Sequence, residues 1–425
     1  MNALAIDLGS TACKASVIAL DGSVLGSGLT RVPTTVGSGG LAEQDPEFMW
    51  TATLSACRQA LGDAGAAAAG GVGSICVTSQ WSSIVPVDAE GSPVAPLHMW
   101  FDRRGARFTD ALTEGDDGRQ VAERWAEING FGPSTSLSHV LWFQSQSDIH
   151  RRAAAYLEPM DYLNARFTGC IVATANSAMP LSLTDNRELA ATAWSNELID
   201  RAGVDASRLP ELTGSLRVLA TIRPDVADAL GLRRDVDVVT SANDSIAAAF
   251  GAGAFDPGQA AIMIGTTGVL TVHHPVRHVD TEKFIVTMPS ALEDRYYVVA
   301  EAGLAGKLLE AALSEVTGLD LPDGPPLEIF EQALSLAGKS TPGSGGVMFL
   351  PWVFGAQAPA PDARHRGAFL GVSLNSTRED FARAMLEGTS LQMRWLADEV
   401  EAALGVPFGN VRFVGGGALS DLWAS

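Results

Sequence analysis

The chain has 425 residues, 46% of them hydrophobic and 18% charged, with a formal net charge of −20. That length exceeds one ordinary core and predicts about two to three soluble globular domains. The acidic balance argues against nucleic acid or an anionic membrane surface as a partner. Four scattered cysteines (Cys13, Cys57, Cys76 and Cys170) make no C-x-x-C pair and no disulfide framework. With no basic leader and no long apolar run, the expected location is cytoplasmic, with reduced thiols.

Residues 4–28 predict a three-stranded meander that turns at Asp21-Gly22. Inside it, Ala5-Ile6-Asp7-Leu8-Gly9-Ser10-Thr11 is an apolar strand running into a glycine and hydroxyl turn, with Lys14 on the next strand. Asp45 is the expected N-cap, and Pro46 the first residue, of a helix reaching about Leu61, with Glu43-Gln44 as the approach to that cap. Strands at 74–78 and 84–88 follow, so the first part reads as α/β. Residues 105–235 read as mostly helical, with Trp125, Trp142 and Trp194 as packing anchors. A strand at 236–239 leads through Asn243-Asp244 into a helix of small residues at 245–253. The domain boundary falls near residue 245, giving domains 1–245 and 246–425.

The second half opens as the first did. Ala261-Ile262-Met263-Ile264-Gly265-Thr266-Thr267 repeats the early motif 256 residues later, backed by a strand at 269–272. His273, His274 and His278 read as a surface strand end rather than a metal box. Segments 321–326 and 338–346 are loops, 379–403 has helical apolar spacing, and a strand at 411–414 enters Gly415-Gly416-Gly417-Ala418.

Strand–turn–strand units whose turns carry Gly and Ser/Thr can aim backbone N–H groups and hydroxyls at an anion. Two of them suggest two related halves gripping one polyphosphate. Only the first copy carries an acid, Asp7, where the second has Met263; a carboxylate in a strand is costly unless paired or near a cation, so Asp7 is the candidate Mg²⁺ holder. The third glycine turn would let an adenosine lie against the backbone. There is no G-x-x-x-x-G-K-[ST] and no G-x-G-x-x-G after a strand. Asp244, at a strand-to-helix junction, reads by position alone as a plain N-cap.

The chain resembles the FGGY carbohydrate kinases of the actin/hexokinase/Hsp70 ATPase superfamily, within them the xylulokinase-like branch. The resemblance covers residues 4–423. It rests on Ala5 to Thr11 with Lys14, Glu43-Gln44-Asp45-Pro46-Glu47 with Trp50, Ser79-Gln80, and Trp100-Phe101-Asp102-Arg103-Arg104. It continues through Pro159-Met160-Asp161-Tyr162-Leu163 with Thr168-Gly169, Asn243-Asp244 with Gly251, and Gly265-Thr266-Thr267. Phe349-Leu350-Pro351, Arg366 to Gly371, Glu387-Gly388 and the Gly415 turn complete it.

The resemblance implies two ribonuclease-H-like (actin-like ATPase) α/β domains with a ligand cleft between them. It implies an ATP- and Mg²⁺-dependent kinase of a small sugar or polyol, with a homodimer left open. Asp244 would be the general base and Asp7 the metal ligand. Gly9, Ser10, Thr11, Lys14, Gly265, Thr266 and Thr267 would face the phosphates, and Gly416, Gly417 and Asp421 the adenosine. Gln80, Trp81, Ser82, Trp100 and Asp102 would line the sugar pocket beside Asp244. By residue type alone, Trp81 and Trp100 serve equally as core, and Gln80 and Asp102 as solvated turn residues.

Two departures qualify this. Xylulose-directed members carry Met-His after the Gln at position 80 and glycerol-directed members Arg-Glu, whereas this chain has Trp81-Ser82, so the sugar stays open. Ser425 follows soon after the third glycine turn, where members of the family continue, so a shortened C-terminal domain is expected. These departures keep a second reading in play, a catalytically silent sugar- or nucleotide-binding regulator on the same fold.

Overall fold

The computed structural model describes residues 1–265, 267–306, 308, 327–353 and 355–425. They fall into two compact units, one of residues 1–247 with 288–295, the other of 248–287 with 296–425. Thr266 and the 321–326 segment lie outside the described residues.

The first unit is built on a six-stranded sheet. Its strands are β1 (Asn2–Leu8), β2 (Ala12–Ala19), β3 (Val24–Arg31), β4 (Val72–Ser79), β5 (Val218–Thr221) and β6 (Asp237–Val239), in the spatial order β5-β6-β4-β1-β2-β3. β1 is antiparallel to β2 and parallel to β4, and β6 is parallel to β4. Period-two patterning puts Leu4, Ile6 and Leu8 of β1 into the core at 1% exposure or less, leaving Asp7 on the opposite face.

Helix α1 (Pro46–Gly70) starts as expected, with Asp45 Oδ1 accepting from Glu47 N at 2.9 Å and Phe48 N at 3.4 Å. It then continues past Leu61 through the alanine-rich stretch, because alanine is the strongest helix former; Gly65, at φ 79°, is its non-helical break. Close packing of α1 on β3 depends on two glycines: a Cβ at Gly28 would lie 2.2 Å from Ala56 O, and one at Gly26 2.3 Å from Ala64 N. The 105–235 region is more mixed than its composition suggests. Short strands at Ala155–Leu157, Val172–Thr174 and Glu211–Thr213 interrupt its helices, and Trp125 is fully buried with its indole N–H on Ser182 O at 2.6 Å.

The second unit repeats the first three strands and the fourth. β7 (Gln259–Ile264) and β8 (Thr267–His274) form the returning hairpin, and β9 (Ile285–Pro289, whose last two residues count with the first unit), β10 (Tyr296–Leu304) and β11 (Asn410–Val414) complete the order β9-β10-β8-β7-β11. β7 is antiparallel to β8 and parallel to β11, as β1 is to β2 and β4. The spacing over 379–403 forms one long helix, α2 (Arg378–Leu404), capped by Thr377 and Asp380. The histidine cluster is not a surface strand end. His273 and His274 are 0% and 7% exposed; the His273 ring stacks on Phe250 at 5.1 Å and packs beside Tyr297 at 5.3 Å, and its Nδ1 lies 3.0 Å from Ala254 O. All four cysteines are free thiols, Cys13 and Cys57 buried. Among the described residues no helix is long and apolar enough to cross a membrane.

Candidate active site

Two acids meet at the C-terminal ends of the parallel strands in the first unit, the end where α/β sheets hold ligands. Asp7 pairs in register with Thr78 of β4, and the Thr78 hydroxyl donates to Ala242 O at 2.8 Å. That bond draws the chain leaving β6 toward β1. The next turn delivers Asp244 as the first residue of α3 (Asp244–Gly251).

Asp244 is not the cap of that helix. The cap is Asn243, whose Oδ1 accepts from Ile246 N at 3.0 Å and Ser245 Oγ at 2.8 Å. Asn243 is itself fixed by Asn176, a fully buried side chain. Asn176 Oδ1 accepts from Asn243 N at 3.0 Å, and its Nδ2 donates to Pro289 O at 3.3 Å. With the capping done by its neighbour, the Asp244 side chain is left exposed to solvent, although many protein atoms crowd around its carboxyl. Burial, with the charge of Asp7 adding to it, pushes its carboxyl up to about 6, against one helpful bond from Ser245 N at 2.8 Å.

Asp7 is partly exposed, and Lys14 Nζ stands 3.3 Å from its Oδ2. An accessible carboxylate beside a second acid suits a hard cation that prefers oxygen ligands. The Gly9-Ser10-Thr11 turn follows directly. Thr11 is exposed, whereas the Ser10 hydroxyl turns inward and donates to Gln80 Oε1 at 2.8 Å.

The residues expected to line a sugar pocket divide. Gln80 is buried and committed: its Nε2 donates to Gln44 Oε1 at 3.0 Å. Asp102 is buried and fully engaged by Ala42 N, Arg104 N and the Arg104 guanidinium, so it braces the loop and offers no oxygen to a ligand. Burial alone would raise its carboxyl, but those hydrogen bonds outweigh it and hold it below the usual range. Trp100 is neither core nor loose: 49% exposed, it is pinned by its indole N–H on Ser10 Oγ at 3.3 Å. Trp81 and Ser82 are half-buried, and Ser82 takes the left-handed conformation at φ 59°, uncommon for a residue with a side chain. Beneath this loop, Ser83 N donates to Glu158 Oε2 at 3.2 Å. Glu158 is fully buried and raised well above the ordinary glutamate value, first by desolvation, with Asp161 and Asp244 adding to it.

His98 and His139 lie buried beside Asp102, the donor atoms of all three within 4.8 Å. Burial holds the imidazoles neutral, lowering His98 to about 2 and His139 to about 4. With Arg104 already occupying the carboxylate, the group is a buried polar knot.

In the second unit three glycine backbones converge at one end of the sheet. Gly306 N donates to Gly265 O at 2.8 Å, and a Cβ at Gly306 would lie 2.2 Å from that oxygen. Gly415, at φ 90°, packs on Ile264 O, where a Cβ would come within 2.5 Å. Gly416 is exposed and Gly417 buried, and Asp421, exposed, opens the short helix Asp421–Ala424. The Thr267 hydroxyl bonds Glu301, whose carboxyl burial raises. Sequence reading took Gln44 only as the approach to a helix cap and passed over Asn176, Glu158 and Gly306, whose partners lie far away in the chain.

A family model described as the FGGY family of carbohydrate kinases, N-terminal domain, matches residues 2–251, and the C-terminal domain model matches residues 260–425. A xylulose kinase of Lactococcus lactis is 28% identical over 426 residues, covering 98% of this chain and 80% of that protein. A gluconokinase of Bacillus subtilis is 23% identical over 424 residues, covering 99% of this chain and 81% of its own. Among solved structures, a xyloylose kinase from Brucella ovis superposes with a TM-score of 0.88 at 25% identity, over 100% of this chain and 84% of that one. With both halves matched end to end and the duplicated hairpin sheets present in each unit, the chain belongs to the FGGY family of carbohydrate kinases.

Proposed function

We propose that this kinase transfers the γ-phosphoryl group of ATP to a hydroxyl of a ketopentose such as xylulose, or a related ketose or polyol, with Asp244 as general base. The observation that carries the reading is the placement of Asp244. It is released from capping, near Asp7, and tuned to about 6, where a carboxylate is charged at neutral pH yet basic enough to take a proton. In the proposed step the sugar O–H proton passes to an Asp244 oxygen as the sugar oxygen forms its bond to the γ-phosphorus. The bond from that phosphorus to the β-bridging oxygen breaks, and ADP leaves with the electron pair.

Asp7 would hold Mg²⁺, which when bound neutralises charge on the phosphate oxygens. The Thr11 turn would supply N–H donors in the first unit. The Gly265 and Gly415 turns, with Asp421, would serve the nucleotide from the second. Trp100 and the Trp81-Ser82 loop would shape the sugar pocket. A chain with −20 net charge can bind a polyanion only through such local donors and a cation.

The deciding experiment is ADP release with MgATP across xylulose, ribulose, gluconate, glycerol and related polyols. A clear preference for one ketopentose supports the reading, preference for gluconate or glycerol reassigns the substrate, and no release above the sugar-free rate with any of them rejects it.

A further inference from the structure

A closed ring of hydrogen bonds grips the turn after β1. Ser10 Oγ donates to Gln80 Oε1 at 2.8 Å, Gln80 Nε2 donates to Gln44 Oε1 at 3.0 Å, and Gln44 Nε2 donates back to Ser10 O at 2.7 Å. The second proton of Gln44 Nε2 goes to Thr34 Oγ1 at 2.9 Å. The ring also fixes which way each amide faces. Turning Gln44 over would set its oxygen against the Ser10 carbonyl, and turning Gln80 over would set its oxygen against that of Gln44. Both glutamines are buried, at 2% and 3% exposure, where a polar group left unpaired is expensive and a fully satisfied network is rigid.

The peptide plane turns this into a consequence for ligand binding. In a trans peptide the carbonyl of one residue and the N–H of the next point in opposite directions. Gln44, with the Thr34 hydroxyl donating to the same oxygen at 3.3 Å, holds the Ser10 carbonyl inward, so the Thr11 N–H is aimed outward, on the exposed side of the turn. The ring has an outer arm as well. Trp100 donates its indole N–H to the same Ser10 hydroxyl, so the exposed aromatic is referenced to the same atoms as the turn.

We propose that Gln44 is a positioning residue for phosphate recognition: through the Ser10–Thr11 peptide it aims the Thr11 N–H at a phosphate oxygen of the nucleotide. The proposal rests on the nucleotide-binding part of the function proposed above. Gln44 touches no phosphate itself. Its contribution is that the turn is already set before the ligand arrives, so little ordering cost is left for binding.

The test is calorimetric binding of Mg²⁺ with the non-hydrolysable ATP analogue AMP-PNP to the whole chain, comparing wild type with Gln44→Met, which keeps side-chain length and removes every ring bond of residue 44. The expected result is affinity lower by roughly tenfold, the loss of one well-aimed bond to a charged group. Gln80→Met opens the same ring and should lose affinity similarly. Adding it to Gln44→Met should cost little more, since residues in one network are not additive. Wild-type affinity in either folded variant, or fully additive losses, overturns the proposal. Where Gln44→Met fails to fold, Gln80→Met alone decides on the same criterion. A wild-type chain that binds no AMP-PNP overturns the nucleotide reading and this proposal with it. That outcome is distinct from equal binding by wild type and variants, which overturns the positioning role alone.

Discussion

At the scale of single residues, Asp244 differs from an ordinary helix-start aspartate because Asn243 has taken over the capping bonds. Asp244→Asn should reduce sugar-dependent ADP release by roughly 10²–10⁴-fold while leaving AMP-PNP binding close to wild type. A near-normal rate would reject its role as base. The pH dependence follows from the raised value. The base must be charged, so kcat should be flat above about pH 6 and fall about tenfold per unit below it. An aspartate without the burial and the Asp7 charge would hold its rate down to about pH 4, and a profile flat to that point would contradict the environment described.

Two of the proposed site residues are marked by type alone: a carboxylate inside an apolar strand is conspicuous, and so is an acid at a strand-to-helix junction. Gln44 has no such mark beyond its place in the stretch that carries the family resemblance. A glutamine ahead of a capped helix looks like any polar approach residue, and its ring partners lie 34 and 36 positions away in sequence. Asp102 shows the opposite case. Its type suits a sugar hydroxyl, and only the fold shows that Arg104 and two backbone N–H groups have already claimed its oxygens.

At the scale of elements, the β1-β2-β3 meander, the Asp45 cap of α1 and the duplicated hairpin were legible because each depends on local patterning, whereas the places of β4, β5 and β6 in the sheet depend on long-range pairing. Lengths were less so. α1 outran its expected end since alanine sustains a helix where a composition shift suggested a loop. β8 buries two histidines, His273 under the Phe250 and Tyr297 rings, which local sequence does not show. Packing of α1 on β3 rests on backbone contact at Gly28, so Gly28→Ala should destabilise the chain by about 1–3 kcal/mol in urea unfolding. An unchanged midpoint would show that the helix can back away without cost. The Asn176 bridge is a second element-scale device. Asn176→Ala leaves the Asn243 N–H and the Pro289 carbonyl without their side-chain partner, a loss of roughly 1–3 kcal/mol. It should also lower kcat, because the residue ahead of Asp244 is no longer held; loss of stability with kcat intact would confine Asn176 to the scaffold.

At the scale of the whole molecule, the buried apolar side chains among the described residues form separate clusters, two within residues 4–238 and one within 260–423. Separate cores predict separable unfolding. Scanning calorimetry should resolve more than one transition, with a van't Hoff enthalpy below the calorimetric one. Mg–AMP-PNP at a hundred times its Kd should stabilise the binding-competent part by about 2.7 kcal/mol. A single two-state transition would show that the clusters unfold as one.

The assignment of residues 288–295 to the first unit bears on how this gene can be taken apart. The repeated hairpin invites the view that two half-length ancestors were fused end to end, and that a cut near residue 247 would give back two autonomous polypeptides. Such a cut would strip the amino-terminal fragment of the stretch that carries Pro289, the carbonyl that Asn176 binds. A split-gene version would therefore need the two fragments co-expressed so that the later one returns its eight-residue loan. Chimeras that exchange halves between relatives should therefore carry residues 288–295 with the first half, because the seam in the sequence and the seam in the fold are different lines.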